Sequence, residues 1–261
     1  ESNFSISNVK GLKRNISAFN SRLSWRCHFI QKLEDQPDIE FKSMHSAYEG
    51  IRDNFNNEFF FKSWMEGKTG FPIVDACMRS LIKTGWLPFR MRAMLVSFAS
   101  YNLLIDWKKS GTYLAKLFTD FEPGIHYSQM QMQSGVTGIN AVRIYNPIKQ
   151  SYDQDPEGTF IRKWVDELRF VHKAYIHEPW KMSSDLQEKF KCKIGTDYPN
   201  PIIDQKESSK FAKNLIYSVR KSKNFKENSA KVFNKLGSRK NISSKKRVSK
   251  MKNKDQLSLI D

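Results

Sequence analysis

Trp64-Met-Glu-Gly-Lys-Thr-Gly-Phe-Pro-Ile-Val-Asp-Ala-Cys-Met-Arg79 opens the stretch that decides the fold. It continues through Leu81-Ile-Lys-Thr-Gly-Trp86, Leu104-Ile-Asp-Trp107 and Arg143-Ile-Tyr-Asn-Pro-Ile-Lys-Gln150. It closes on Asp155-Pro-Glu-Gly-Thr-Phe-Ile-Arg-Lys-Trp-Val-Asp-Glu-Leu168. Its periodicity is helical. Pro72 suits a first helical position, where a missing N–H costs nothing. Ile73, Ala76, Cys77 and Leu81 recur near a 3.6-residue period, and Gly85 can stop that helix. Pro88 opens a second helix with Met91, Met94, Leu95, Phe98 and Leu103 on its inner side. Gly111 is read as preceding a short helix that carries Leu114, Leu117 and Phe118. Asp155 is read as the cap of a helix begun by Pro156, which buries Phe160, Ile161, Trp164, Val165 and Leu168. No alternating strand pattern and no internal repeat interrupts this, so the expected class is all-α.

Outward from that stretch, composition sets the bounds. A chain of 261 residues, 39% hydrophobic and 13% aromatic, suffices for a large core. No apolar run approaches the ~20 residues of a membrane helix. No charged segment followed by an apolar one opens the chain as a secretory signal would. The three cysteines, Cys27, Cys77 and Cys192, are widely spaced and odd in number. That pattern fits reduced thiols, so a cytoplasmic location and no membrane partner are expected. No Cys-x-x-Cys or paired-His spacing supports a metal site, and none is expected.

The net charge of +17 is uneven, because residues 205–261 carry 17 Lys and Arg against four acids. Such a segment attracts polyanions by counterion release, or serves as a solvated tail. Phe211, Leu215 and Val219 recur every four residues, which allows one amphipathic helix around Lys210–Arg220. The remainder of 206–261 is expected to be a basic, largely disordered tail, with a helical domain over 1–205.

The quoted fragments, in this order and at this spacing, resemble the helical FAD-binding domain of the photolyase/cryptochrome family. The resemblance extends to Asn20-Ser-Arg-Leu-Ser-Trp-Arg26 upstream. Downstream it takes in His177-Glu-Pro-Trp-Lys181 and Tyr198-Pro-Asn-Pro-Ile-Ile-Asp204. It implies an all-α fold, an FAD cofactor, and a flavoprotein that responds to blue light or redox state and has some affinity for nucleic acid. Two other readings stay open: a DNA photolyase with altered pocket chemistry, and a flavin-free module that binds nucleic acid or a partner. Family members place an α/β domain and a Ser/Thr-rich phosphate-binding segment before the matched part. Residues 1–18 do not reproduce that segment, so the upstream domain is expected to be missing from this chain.

The resemblance also assigns residues. A flavin ring needs hydrogen-bond partners along its polar edge and control of the charge that develops on reduction. Asp120 matches the family's first flavin-side acid, and Glu122 stands where a second, usually aspartate, is found. His126 falls on the position facing flavin N5, where a histidine could donate a proton or charge near neutral pH. Arg92 and Arg26 match flavin-side arginines. Arg90 and Arg143 match arginines that contact DNA phosphates, with structural ion pairs as the alternative. In the lesion pocket Trp25 is kept. Arg22 replaces a glutamate, Phe89 an asparagine, Ala93 a methionine and Met132 a tryptophan. Of the three tryptophans that relay electrons to flavin in relatives, Trp107 is the middle one. The flavin-proximal position is Met130 and the distal one Asn54, so that relay is expected to be broken. Trp64 and Trp86 are expected to be core aromatics.

Overall fold

A computed structural model describes residues 11–222 and 224–237. Their backbone is helical: α1 Leu12–Asp35, α2 Glu58–Met65, α3 Pro72–Thr84, α4 Phe89–Ser97, α5 Trp107–Ala115 and α6 Pro123–Ser134, then α7 Pro147–Gln154, α8 Thr159–Trp164, α9 Ser184–Lys189, α10 Gln205–Val219 and α11 Phe225–Leu236. Among the described residues there is no strand, only an isolated bridge between Ile194 and Tyr198. The expected all-α class is the observed one.

Local chemistry explains the main boundaries. Pro72 starts α3, and Gly85 ends it in the left-handed region at φ 70°. Asp75, in the first turn of α3, is fully buried. Its carboxylate accepts from Thr69 N (2.7 Å), Thr69 Oγ1 (2.6 Å), Gly70 N (3.0 Å) and the Tyr198 hydroxyl. Four donors offset the burial that pushes this carboxyl's pKa up. α4 caps on Pro88 and passes into a π-helical turn over Phe98–Asn102. Met91, Met94, Leu95, Phe98 and Leu103 are all buried, as the periodicity requires.

Elsewhere the structure shifts the expected boundaries. The helix expected after Gly111 begins earlier, at Trp107, because Asp106 caps it by accepting from Lys108 N at 2.8 Å. Gly111 therefore sits inside α5. Asp155 does cap α8, accepting from Phe160 N and Ile161 N at 3.1 and 2.9 Å. The helix itself begins at Thr159, after Gly158 turns the chain at φ 69°. Trp64 is core, whereas Trp86 is 55% exposed; the turn at Gly85 directs it outward.

The largest departure lies beyond residue 205. The segment from 206 was expected to be disordered outside one helix, but it holds all but the first residue of α10 and the whole of α11. Ala212 and Ile216 are buried and Phe211 is 47% exposed, so the inward stripe lies one position from the expected one. Asn102 Nδ2 donates to Ser208 Oγ and Ser209 Oγ at 2.9 and 3.0 Å, docking α10 on the π-helical turn. Phe225 of α11 stacks on His45 at 4.3 Å between centroids. Burial of a few apolar side chains outweighs the Lys- and Ser-rich composition here. The part of the expected tail from 238 onward lies outside the described residues.

Candidate functional site

α4, the 118–122 loop and α6 surround a cavity of about 160 Å³. Pro123 occupies the first turn of α6. Glu122 caps it, accepting from Gly124 N at 3.2 Å and Ile125 N at 2.8 Å. Both Glu122 oxygens are thus committed to the helix end, where the dipole favours an anion. One face of α6 lines the cavity through Ile125, His126, Gln129, Met130 and Gln133, and α4 contributes Phe89, Arg92, Ala93 and Val96.

Arg92 and Asp120 form the polar rim. Their guanidinium and carboxylate pair in a bidentate fork, both contacts at 2.9 Å. Arg92 Nε donates to the Leu87 carbonyl at 2.7 Å, and its plane lies 4.2 Å from the Phe118 ring centre. Three contacts hold this cation in one place.

His126 forms the buried wall. Its Nε2 lies 2.9 Å from the Gly111 carbonyl oxygen, and Phe121 and Tyr127 pack edge-on to its ring at 5.1 and 5.2 Å. Burial lowers its pKa, the Gly111 contact opposes this, and Arg92 adds to the lowering. The expectation that His126 charges near neutrality is therefore corrected: its environment favours the neutral ring. The remaining nitrogen, Nδ1, is then an acceptor.

Met130 is buried beside His126. A Cβ on Gly111 would meet Met130 Cγ at 3.3 Å, so α5 and α6 touch there. Trp107, one turn before Gly111, is buried and donates its indole N–H to Ser43 Oγ at 3.1 Å. It does not line the cavity. Asn54 is exposed.

Other predicted residues are not brought to this cavity. Trp25 and Arg26 lie exposed on α1 and are absent from its lining, as is Met132. Arg90 and Arg143 are exposed, and among the described residues neither forms an ion pair. Gln129 and Gln133 were not singled out in the sequence, although they line the cavity and their amides meet at 3.4 Å. Their signal was available: 122, 125, 126, 129, 130 and 133 share one face of a helix opened by Pro123.

A sequence model of the FAD binding domain of DNA photolyase matches residues 19–218. The chain belongs to this family. The deoxyribodipyrimidine photo-lyase of Alkalihalophilus pseudofirmus is 36% identical over 212 residues, spanning 80% of this chain and 44% of that protein. The Escherichia coli deoxyribodipyrimidine photo-lyase is 38% identical over 198 residues, spanning 74% and 40%. Among solved structures, a bacterial class III photolyase from Agrobacterium tumefaciens superposes with a TM-score of 0.73 at 32% identity, over 82% of this chain and 45% of that one. A Synechocystis cryptochrome gives 0.70 at 27% identity, over 81% and 43%. The photolyase-family chain thus spans less than half the length of the curated relatives it matches.

The donor set fits a flavin ring. The cavity pairs an apolar wall of Phe118, Phe121, Val96 and Met130 with a fixed guanidinium, a neutral imidazole and two amides. A flat ring with one polar edge needs that combination. Among the described residues no group of His, Cys, Asp and Glu is arranged to hold a metal. No helix there is long and apolar enough to cross a membrane.

Proposed function

We propose that this chain holds the ring of FAD in the cavity between α4 and α6, as the photoactive part of a light- or redox-responsive cytoplasmic flavoprotein with affinity for DNA. The observation that carries the reading is the Arg92–Asp120 fork at the rim, set against buried His126. Bound FAD would supply light absorption and one-electron transfer. Arg92 would supply positive charge to the bound ring, and Asp120 orients that guanidinium. His126 keeps its proton on Nε2 and offers Nδ1 as acceptor. Phe121, Val96 and Met130 exclude water, which strengthens each polar contact.

Signalling or redox response is favoured over repair of cyclobutane dimers. Phe89 and Ala93 line this cavity where the family resemblance places asparagine and methionine. Arg22 puts a positive charge where a glutamate is expected. Affinity for DNA rests on the net charge of +17 and on two exposed arginines, Arg90 and Arg143.

Two measurements test this. Added FAD should bind the purified chain in an equilibrium fluorescence titration, weakly because residues 1–18 do not reproduce the phosphate-binding segment, and Asp120→Ala should lose most of that binding while keeping its far-ultraviolet circular dichroism. No saturable binding of FAD by the unaltered chain would sink the flavin reading. Illumination of the loaded chain with an oligonucleotide carrying a thymine dimer should leave the dimer intact, and repair would establish the photolyase reading instead.

A further inference from the structure

α10 turns one side to the helical body and the other to solvent. Ala212 and Ile216 are buried, and Ser208 and Ser209 accept from Asn102. Lys206, Lys210, Lys213 and Tyr217 follow at steps of four, three and four residues, so they share one face, and all four are exposed. At about 1.5 Å of rise per residue the row is ~16 Å long. Residues 205–221 hold five Lys and Arg against one acid, Glu207. Among the described residues none of the three lysines has a carboxylate within ion-pair distance. No residue of α10 lines the cavity between α4 and α6.

The far end of the row is fixed from below. The Arg220 guanidinium lies 5.1 Å from the centre of the Tyr217 ring. Arg220 Nε donates to the Tyr48 hydroxyl at 3.1 Å, and its Nη2 donates to the Asn140 carbonyl at 3.2 Å. Tyr48 is buried, so the cation beside Tyr217 is anchored in the core. Ser229 of α11 donates its hydroxyl to the Gly138 carbonyl at 3.3 Å. α10 and α11 thus both hold the 138–140 turn, and Arg143 stands exposed three residues further along. The row therefore leads from Lys206 to the segment that carries Arg143.

We infer that the Lys206, Lys210, Lys213 and Tyr217 face of α10 binds a single strand of nucleic acid, the lysines to its phosphates and Tyr217 to an unpaired base. This rests on the nucleic-acid reading of Arg143 above and extends it to a surface outside the cavity. Steps of three and four residues place an ammonium every ~4.5–6 Å along the helix, and the long lysine stems can adjust that to a sugar–phosphate backbone. Each phosphate neutralised releases counterions, which drives binding whatever the sequence. A tyrosine ring offers a flat face to any base. Arg220 restrains that ring, so little freedom is lost on stacking. A membrane surface fits less well. A helix lying in a lipid interface inserts its apolar side chains, and here Ala212 and Ile216 face the body.

The test uses the full chain and a labelled oligothymidylate, read by fluorescence anisotropy over a range of salt concentrations. The triple variant Lys206→Gln, Lys210→Gln, Lys213→Gln should keep its far-ultraviolet circular dichroism and lose about tenfold or more in affinity at low salt. Its slope of log K against log salt should shrink by about 2, at ~0.7 for each phosphate of a single strand. Tyr217→Leu should lose about fivefold or more with the slope unchanged, because stacking releases no counterions, and Tyr217→Phe should keep the affinity. On a duplex of equal length Tyr217→Leu should change nothing, since paired bases show no free face. Binding to phosphatidylserine vesicles should be the same in the triple variant and the unaltered chain. Oligonucleotide binding weakened by Arg143→Ala but untouched in the triple variant overturns the inference alone. A loss in Tyr217→Leu as large on the duplex as on the single strand overturns the stacking role. A triple variant that loses vesicle binding and keeps the oligonucleotide assigns this face to membranes instead. No binding of the oligonucleotide by the unaltered chain overturns the nucleic-acid reading and this inference with it.

Discussion

His126 Nε2 lies 2.9 Å from the carbonyl oxygen of Gly111, joining α6 to α5 at the cavity wall. A carbonyl only accepts, so Nε2 carries the proton and the neutral ring is complete without a second one. Burial lowers the pKa of this imidazole from its ordinary value, and Arg92 acts in the same direction. The unfolded chain, with an ordinary histidine near 6.5, binds that proton more readily. Stability from this group is therefore fully present above about pH 6.5 and is lost as pH falls through the folded-state value. His126→Gln should flatten that part of the profile. Urea midpoints at a neutral and a mildly acidic pH check it. An equal acid-induced drop in both proteins would contradict the assignment.

Gly124, one turn before Ser128, has no room for a side chain. A Cβ there would lie 2.9 Å from both Ile30 Cα and the Phe29 carbonyl oxygen. These are backbone atoms of α1, and they cannot rotate away. Gly124→Ala should force α1 off α6 and cost about 1–3 kcal/mol. A thermal melt reads this directly, and an unchanged Tm would show that α1 is loosely held.

Met130 lines the cavity and Trp107 does not. In the FAD-loaded chain, Met130→Trp should shorten the flavin emission lifetime and speed photoreduction, because an oxidisable indole then lines the cavity. Time-resolved fluorescence is the measurement. Lifetimes that match in the two proteins would mean that the wall at 130 does not face the ring.

The basic C-terminal segment is best tested by a cut after 237. A cut at 206 would remove all of α10 but its first residue, and with it buried Ala212 and Ile216. Residues 238–261 carry eight Lys and Arg against two acids. Their removal should weaken binding to duplex DNA and flatten the dependence of log K on log salt, since that slope scales with the phosphates neutralised. Titrations at several salt concentrations decide it, and an unchanged slope assigns the DNA contacts to the helical body.

Much of the helical body was legible in local chemistry. Pro72, Gly85 and Pro88 mark boundaries that need only one residue's backbone preference. The apolar period of α3 and α4 is written in neighbouring residues. Asp120, His126 and Met130 could be placed beside one another because they fall on one short run of chain, and Arg92 by resemblance.

The rest was settled by contacts between residues distant in sequence. The protonation of His126 depends on Gly111, 15 residues away, and on burial that no single stretch encodes. Glu122 lines the cavity, and only the structure shows that the start of α6 also uses both its oxygens. α11 is Lys-rich and reads as tail, whereas the period of α10 is legible around 210–220. Both dock because Asn102 and His45, from far upstream, supply surfaces for them. Local propensity is a property of the chain, whereas burial, charge state and docking belong to surfaces that exist only once the helices have packed.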